Sequence, residues 1–141
     1  MADIKEVITR VSIDRKDFDE NGHLNNEAYP RYFEEGRLAL VKEFRIDTDP
    51  LKAINVSFLV RRAAYDYIKS IESEGEVEIH SRFLEYGGRA RIQMHQEIFF
   101  NGQLTTAADL DYFFFDLVRK KPIRPPGDII EMLFPEYPKS S

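Results

Sequence analysis

The spacing of apolar positions changes along the chain and predicts a strand followed by a helix. From residue 7 to residue 13, the side chains at odd positions are Val, Thr, Val and Ile, with the two-residue period of a strand. Between Tyr29 and Phe44, apolar residues, with Gly36 among them, instead return every three or four positions, with charged residues between them. This spacing indicates an amphipathic helix about 18 residues long, with Asn25 or Asn26 as its expected N-cap.

After this helix the apolar positions again recur every second residue. Two turn signals divide this part of the sequence into strands. Further strands are predicted over residues 54–61, 76–83, 90–100 and 104–117. Gly87-Gly88 marks a tight turn between the second and third of these, and Asn101-Gly102 is a strong hairpin signal between the third and fourth. Strands joined by hairpins are antiparallel, so we expect an antiparallel sheet.

The C-terminal part carries signals that end a sheet. Lys120-Lys121-Pro122 is expected to break it, and Pro125-Pro126-Gly127 precedes a short helix predicted over residues 128–134. The order of elements predicts an α+β fold in a single domain over residues 1–141. The long helix is expected to lie across the concave face of an antiparallel sheet of about five strands.

Composition narrows the chemistry that a site could use. The chain has no cysteine, which excludes disulfides, thiolate zinc sites and a cysteine nucleophile. Its net charge of −5 argues against a general nucleic-acid binder, because neutralising phosphates requires a basic face. We find neither a signal-peptide pattern nor a run of about 20 apolar residues, so we expect a cytoplasmic protein without a membrane partner.

The segment between the first strand and the helix, DFDENGHLNNE at residues 17–27, is similar to a calcium-binding loop. That pattern requires oxygen ligands at positions 1, 3 and 5, glycine at position 6 and a bidentate glutamate at position 12. Position 12 is Ala28, and the preceding segment has the period of a strand where an EF-hand needs a helix. A simple polar turn is a second interpretation, because these residue types form turns readily.

A third interpretation assigns chemistry to the same segment. Asp19, Asn21 and His23 place a carboxylate, an amide and an imidazole directly before a helix start. Backbone N–H groups at a helix N-terminus stabilise an oxyanion, and an acid or base beside such a site is suited to acyl transfer.

The motif also resembles the signature of a known enzyme family. Residues 17–26, followed by Tyr29, Phe33-Glu34 and Arg37, are similar to hot-dog-fold thioesterases of the 4-hydroxybenzoyl-CoA thioesterase type. The D-x-D-x-x-x-H-[VL]-N-N-x-x-Y form most resembles the branch of long-chain acyl-CoA and acyl-carrier-protein thioesterases. The resemblance implies a hot-dog fold and a homodimer, or a dimer of dimers, with sheets joined edge to edge. It also implies active sites at the subunit interface and thioester hydrolysis without metal or cofactor.

The resemblance implies roles for individual residues. Asp19 stands at the position of the catalytic carboxylate, as general base or nucleophile, and Asn21 and His23 stand where one branch carries polar active-site residues. Asn26 begins the helix whose backbone N–H would polarise the thioester carbonyl. The expected substrate is a fatty or aromatic acyl-CoA, or an acyl-carrier-protein thioester. A non-catalytic acyl-CoA-binding protein and an acyl-thioester dehydratase or hydratase are the alternatives.

Two positions depart from the family pattern. Pro30 disfavours helical geometry at Tyr29, so the helix start and its oxyanion donor are expected to be displaced. The region 56–62 has no carboxylate where some branches place an additional acid.

The predicted strands also carry arginines and histidines outside the motif. Arg89 and Arg91 lie just after Gly87-Gly88, a region that often contacts the CoA nucleotide in the family, so we expect them to bind CoA. Solvated strand arginines are the alternative. His80 and His95 lie on strands joined by a hairpin and are expected to be polar-face residues outside the site.

Overall fold

An antiparallel sheet with a long helix packed on one face forms most of the described chain. The structure is a computed structural model that describes residues 6–44, 54–84, 86–88 and 90–135. Its elements are β1 (Glu6–Ser12), α1 (Ala28–Glu43), β2 (Val56–Tyr67), β3 (Glu76–Phe83), β4 (Arg91–Phe100), β5 (Gln103–Asp116), β6 (Lys121–Ile123) and α2 (Gly127–Leu133). A 3-10 turn at Arg15–Asp17 lies between β1 and α1.

The strands form one sheet in the order β1-β3-β4-β5-β2, and the short strand β6 pairs with β5. All pairings are antiparallel. The buried stripe of α1 packs against β1, β3 and β4. The predicted α+β class and the hot-dog arrangement implied by the resemblance are therefore confirmed. Neither helix within the described ranges is long and apolar enough to cross a membrane.

Two connections join the middle strands. Between β4 and β5, Asn101 and Gly102 both have positive φ angles, 52° and 75°, as a two-residue type I′ turn requires. The hairpin predicted from this Asn-Gly pair is confirmed. The connection from β3 to β4 contains Gly87-Gly88 but runs from residue 84 to residue 90, so it is longer than the tight turn expected.

Strand β2 is longer than predicted because a β-bulge interrupts its alternation. The register with β5 shifts between Val60 and Arg62, which makes Arg61 an extra residue. The bulge shifts by one position the alternation of side chains between the two faces of the sheet. The regular alternation in the sequence therefore ends at Arg61, although the strand continues to Tyr67.

The prediction that residues 120–122 break the sheet is wrong. The chain reverses at Lys120, which has a φ of 59°, and returns as β6 beside β5. Asp116 Oδ1 holds the reversal by accepting a hydrogen bond from the Val118 N–H at 2.9 Å. Pro122 is tolerated because β6 is a short strand that pairs only with β5 in the described ranges.

Helix α1 approaches the sheet closely at Gly36. A Cβ atom at this position would lie 2.5 Å from Ile79 Cγ2 and 2.8 Å from Ser81 Oγ. Beside it, the fully buried Gln96 donates from Nε2 to the Phe33 carbonyl at 2.9 Å and to Ser81 Oγ at 2.8 Å. These contacts fix the depth of the helix on the sheet, and with it the position of the helix N-terminus.

Candidate active site

The motif segment folds into a tight loop between β1 and α1. The Asp19 N–H donates to the His23 carbonyl at 2.8 Å, and the Gly22 N–H donates back to the Asp19 carbonyl at 3.0 Å. Gly22 has a φ of +79°, a conformation that glycine adopts without strain. The buried Leu24 donates its N–H to the Ile71 carbonyl at 2.9 Å, which ties the loop to the segment after β2.

Asp17 anchors the loop to α1. Its Oδ2 accepts a hydrogen bond from the Tyr32 hydroxyl at 2.7 Å, and its Oδ1 lies 2.6 Å from Arg31 Nη2. Burial raises the pKa of Tyr32, so this hydroxyl stays protonated and donates at neutral pH. The Asp17 carboxylate is thus directed at protein donors, whereas a calcium loop would direct it at the ion. Within the described ranges, no three His, Asp or Glu side chains are grouped to hold a metal ion.

Asp19 presents one carboxylate oxygen to the loop and lies at the edge of a cavity. Its Oδ1 accepts hydrogen bonds from the backbone N–H groups of Asn21 at 2.9 Å and His23 at 3.0 Å. These bonds hold the half-buried side chain in one orientation. Among the described residues, the hydrogen bonds to this carboxylate all fall on Oδ1, so Oδ2 is the oxygen available to a bound molecule.

The helix begins later than the predicted cap. The residue before α1 is Glu27, which makes no capping hydrogen bond through its side chain, so the prediction of Asn25 or Asn26 as N-cap is wrong. The Ala28 N–H donates to the Asn25 carbonyl at 2.9 Å, which makes residues 25–28 a turn leading into the helix. Pro30 is then the third helical residue, where the absent N–H would have no acceptor inside the helix.

One cavity of about 660 Å³ brings this loop together with the end of β2. The lining residues are Asp19, His23, Leu24, Asn25, Asn26, Glu27 and Tyr29 from the loop and helix start, and Tyr67, Ile68, Lys69 and Ser70 from the end of β2. The volume lies within the range of small-molecule sites. Three of the residues that the resemblance selects, Asp19, His23 and Asn26, therefore lie around a common space.

The wall formed by the end of β2 could not be predicted from the motif. Tyr67 packs edge to face on Tyr29, with 5.2 Å between ring centroids. Burial raises the pKa of both hydroxyls, so both remain protonated at neutral pH. Lys69 Nζ is hydrogen-bonded to Gln103 Oε1 at the rim. Predicting this wall would have required knowing that β2 continues beyond Arg61. The bulge interrupts the alternation of the sequence at that point, so the alternation does not reveal the continuation.

A carboxylate partner of His23 was also missed. Glu72 follows β2 and lies with Oε1 3.1 Å from His23 Nε2. The neighbouring Ile71 is buried and bonded to the loop, which fixes the backbone beside Glu72. Since Nε2 faces Glu72, Nδ1 is the ring nitrogen that remains for a molecule in the cavity.

The other predicted site residues lie elsewhere. Asn21 is exposed and does not line the cavity. Arg91 lies opposite Phe113 on β5, whereas the cavity residue Tyr67 lies opposite Thr106. These two positions on β5 are about 23 Å apart at roughly 3.3 Å per residue, so Arg91 is remote from the cavity of its own chain. Arg89 lies outside the described residues.

The strand histidines pair with two different carboxylates. His80 Nδ1 lies 3.1 Å from Glu6 Oε1, and His95 Nδ1 lies 2.8 Å from Asp109 Oδ1. Each imidazole pairs with a carboxylate on the face of the sheet away from α1. Their assignment as polar-face residues is confirmed.

Comparison with known proteins agrees with the architecture. A structure described as a predicted thioesterase from Bacillus stearothermophilus is 23% identical, with a TM-score of 0.80 over 97% of this chain and 100% of that one. The YbaW probable thioesterase from Escherichia coli is 22% identical, with a TM-score of 0.77 over 89% and 95%. The DHNA-CoA thioesterase from Staphylococcus aureus is 23% identical, with a TM-score of 0.73 over 93% and 85%. No curated protein matches the chain.

Family membership follows from the sequence match. The pattern of the thioesterase-like superfamily matches residues 14–133, a span that includes the motif loop, both helices and every strand after β1. The match is to the superfamily and does not single out the long-chain acyl-CoA or acyl-carrier-protein branch. The chain belongs to the thioesterase-like superfamily.

Proposed function

We propose that this protein hydrolyses a fatty or aromatic acyl-CoA thioester to the free acid and CoA. Membership of the thioesterase-like superfamily supports thioester hydrolysis in general terms. The observation that carries the finer proposal is the position of Asp19, whose Oδ2 is unused by the loop and lies at a cavity beside the start of α1. A carboxylate and helix N–H donors at one cavity are what acyl transfer to water requires.

The reaction follows from these groups. Asp19 takes a proton from a water molecule whose oxygen attacks the thioester carbonyl carbon, or it attacks that carbon itself and forms an anhydride that water then hydrolyses to the free acid. The carbonyl oxygen becomes an oxyanion, the C–S bond then breaks, and the sulfur leaves as a thiolate that takes up a proton. In the first turn of α1, the Ala28 N–H is already bonded and Pro30 has no N–H, so Tyr29 supplies the oxyanion donor.

The proposal is tested by thiol release across acyl-CoAs that differ in chain length and aromaticity. We expect turnover of at least one fatty or aromatic acyl-CoA without added metal or cofactor. Tight acyl-CoA binding without thiol release would favour a non-catalytic binding protein. Hydration of an enoyl-CoA without thiol release would favour a hydratase.

His23 and Glu72 are proposed to act as a pair in which Glu72 orients the imidazole. Replacing Glu72 by Ala should lower kcat/KM roughly two- to fivefold, a modest effect because both side chains are partly exposed. In a His23→Ala background the same replacement should have no further effect. The kcat/KM values of the four proteins measure this coupling. Equal losses of kcat/KM in the wild-type and His23→Ala backgrounds would contradict this coupling. The matched control is Glu74→Ala, which removes a nearby acid paired with Arg15.

Strand β2 is proposed to join two subunits edge to edge. In the described chain it pairs with β5 on one side only, and it exposes Leu59 and Val60 at 39% and 40%. A long edge strand with exposed apolar side chains is a template for pairing with another strand. Because the cavity lies at the end of this strand, the second subunit would border the site.

Blocking this edge should separate the subunits. The wild-type protein is expected at about twice the 16.5 kDa mass of one chain, or as a dimer of such dimers. Changing Leu59 and Val60 to Lys should shift it to the mass of the monomer, because charged edge residues oppose strand pairing. Light scattering after size exclusion measures this. Ile8→Lys on the opposite edge strand is the control and should leave the mass unchanged, whereas an unchanged mass for the double variant would exclude this interface.

A further inference from the structure

The turn between β5 and β6 exposes apolar and basic side chains together. We call residues 117–121, with the sequence Leu-Val-Arg-Lys-Lys, the basic tip. Leu117 is 45% exposed, Val118 is 70% exposed, and the three cations that follow are exposed as well. Ile54, which is 55% exposed, lies at the same end of the sheet, because the carbonyl of the next residue, Asn55, accepts the Leu117 N–H at 2.9 Å. Apolar side chains grouped on a surface indicate an interaction site, whereas scattered ones do not.

The basic tip has a fixed shape because Asp116 holds its backbone. The Asp116 Oδ1 accepts the N–H groups of Val118 and Arg119, each at 2.9 Å, and the Asp116 carbonyl accepts the Lys120 N–H at 2.8 Å. The hydrogen bond from the Arg119 N–H holds the pKa of the Asp116 carboxyl below its usual value, so the carboxylate stays ionised at neutral pH. The turn therefore presents its apolar side chains to the solvent in one arrangement.

The basic tip also concentrates positive charge on an acidic chain. Residues 117–124 contain four cations and no carboxylate, although the whole chain has a net charge of −5. The adjacent acid, Asp116, has its Oδ2 3.8 Å from Arg119 Nε, a loose contact that leaves the arginine side chain 70% exposed. The turn is therefore cationic and apolar at once. This combination suits a surface that offers anionic groups above hydrocarbon.

We propose that the basic tip docks this protein on the surface of a membrane that contains anionic phospholipids. Leu117 and Val118 enter the outer edge of the hydrocarbon, while the cations pair with the lipid phosphates. An acidic protein also attracts cations, but it needs a groove to receive the aliphatic side chains at the apex of a turn, whereas lipid does not. The expectation of no membrane partner came from the lack of a spanning segment, and contact from the water side requires none.

The basic tip and the cavity lie at opposite ends of β2. The strand begins at Val56, next to Asn55 at the tip, and ends at Tyr67, which lines the cavity. At 3.4 Å per residue, the two ends are about 37 Å apart. Docking through the tip therefore leaves the cavity away from the lipid, and the inference does not depend on the proposed hydrolysis.

Sedimentation with lipid vesicles tests the proposal. The wild-type protein should bind vesicles of phosphatidylcholine and phosphatidylserine, more weakly as salt is added, and should not bind vesicles of phosphatidylcholine alone. Lys120→Ala/Lys121→Ala should weaken binding about 25-fold, or about fivefold for each cation near an anionic surface. Val118→Ser should weaken it about fivefold, because one apolar side chain is withdrawn from the hydrocarbon. Arg15→Ala/Lys16→Ala, the matched control, removes two adjacent exposed cations from the 3-10 turn and should bind like wild type.

The outcomes that would overturn the proposal are distinct. They are absence of binding to the anionic vesicles, equal binding to both kinds of vesicle, and binding that both tip variants retain in full. Poly-glutamate bound in solution without any binding to vesicles, and weakened by Lys120→Ala/Lys121→Ala but not by Val118→Ser, would assign the tip to an acidic protein instead. Urea unfolding of the variants, expected at the wild-type concentration, shows that a loss of vesicle binding is not a loss of folding.

Discussion

Replacing Asp19 by Asn should lower kcat for acyl-CoA hydrolysis by about 10² to 10⁴, the usual contribution of a positioned acid or base. Asn is the informative change because Asp19 has two functions in the structure. Its Oδ1 holds the loop by accepting the N–H groups of Asn21 and His23, and the amide oxygen of Asn can accept the same bonds. Only the charge and basicity of the second oxygen are lost, so the free energy of unfolding should change by no more than about 0.5 kcal/mol.

Asp19→Ala is the less specific change because it also removes the loop acceptor. It should lower activity at least as much as Asn does and additionally destabilise the loop by about 1 kcal/mol. Glu20→Gln is the matched control, since Glu20 is an exposed carboxylate one residue away that does not line the cavity. Thiol release measured for the three variants, alongside urea unfolding, compares them. Wild-type turnover by Asp19→Asn would exclude Asp19 from the chemistry.

Isotope labelling can distinguish whether Asp19 acts as a general base or as a nucleophile. In a single turnover in oxygen-labelled water, a general base leaves the label in the product acid. A nucleophile forms an anhydride, and water that attacks the Asp19 carbonyl leaves the label on Asp19 itself. Label found in the peptide containing Asp19 therefore identifies the nucleophile, whereas water that attacks the acyl carbonyl of the anhydride labels the product acid, as a general base does.

The sequence predicted the elements that local spacing determines. The two-residue alternation located the β3, β4 and β5 strands, and Asn101-Gly102 located the hairpin between β4 and β5, because both signals are local. The helix was found but its start was misplaced. Asn25 and Asn26 have the side chains of caps, yet the Asn25 carbonyl accepts the Ala28 N–H and the chain turns once more before α1.

The motif identified one wall of the cavity and could not identify the other. Asp19 and His23 lie within a few residues of each other, whereas Tyr67 and Glu72 reach them only through the strand order and the length of β2. The bulge at Arg61 hid that length. The apolar–polar alternation does not extend through the bulge, because one inserted residue reverses the face of every later side chain.

Gly36→Ala should destabilise the protein by about 2 kcal/mol, because the new methyl group would overlap the sheet. Its Cβ would lie 2.5 Å from Ile79 Cγ2, 2.8 Å from Ser81 Oγ and 3.0 Å from Gln96 Nε2. Ile79 and Ser81 are fully buried, and both contact atoms are attached directly to Cβ, so neither can move far. The helix must lift instead, which strains the hydrogen bond from Gln96 to the Phe33 carbonyl.

The helix propensity of alanine opposes this loss. Ala in place of Gly inside a helix gains up to about 1 kcal/mol, so the overlap and the strained hydrogen bond together must exceed that gain. Gly127→Ala at the start of α2 is the matched control, because its Cβ would have no atom within 4 Å and stability should stay equal or rise. Urea unfolding of both variants gives the two free energies. If Gly36→Ala is as stable as wild type, α1 does not lie as close to the sheet as described. If it is destabilised, activity should fall with it, since lifting α1 moves the helix N-terminus away from Asp19.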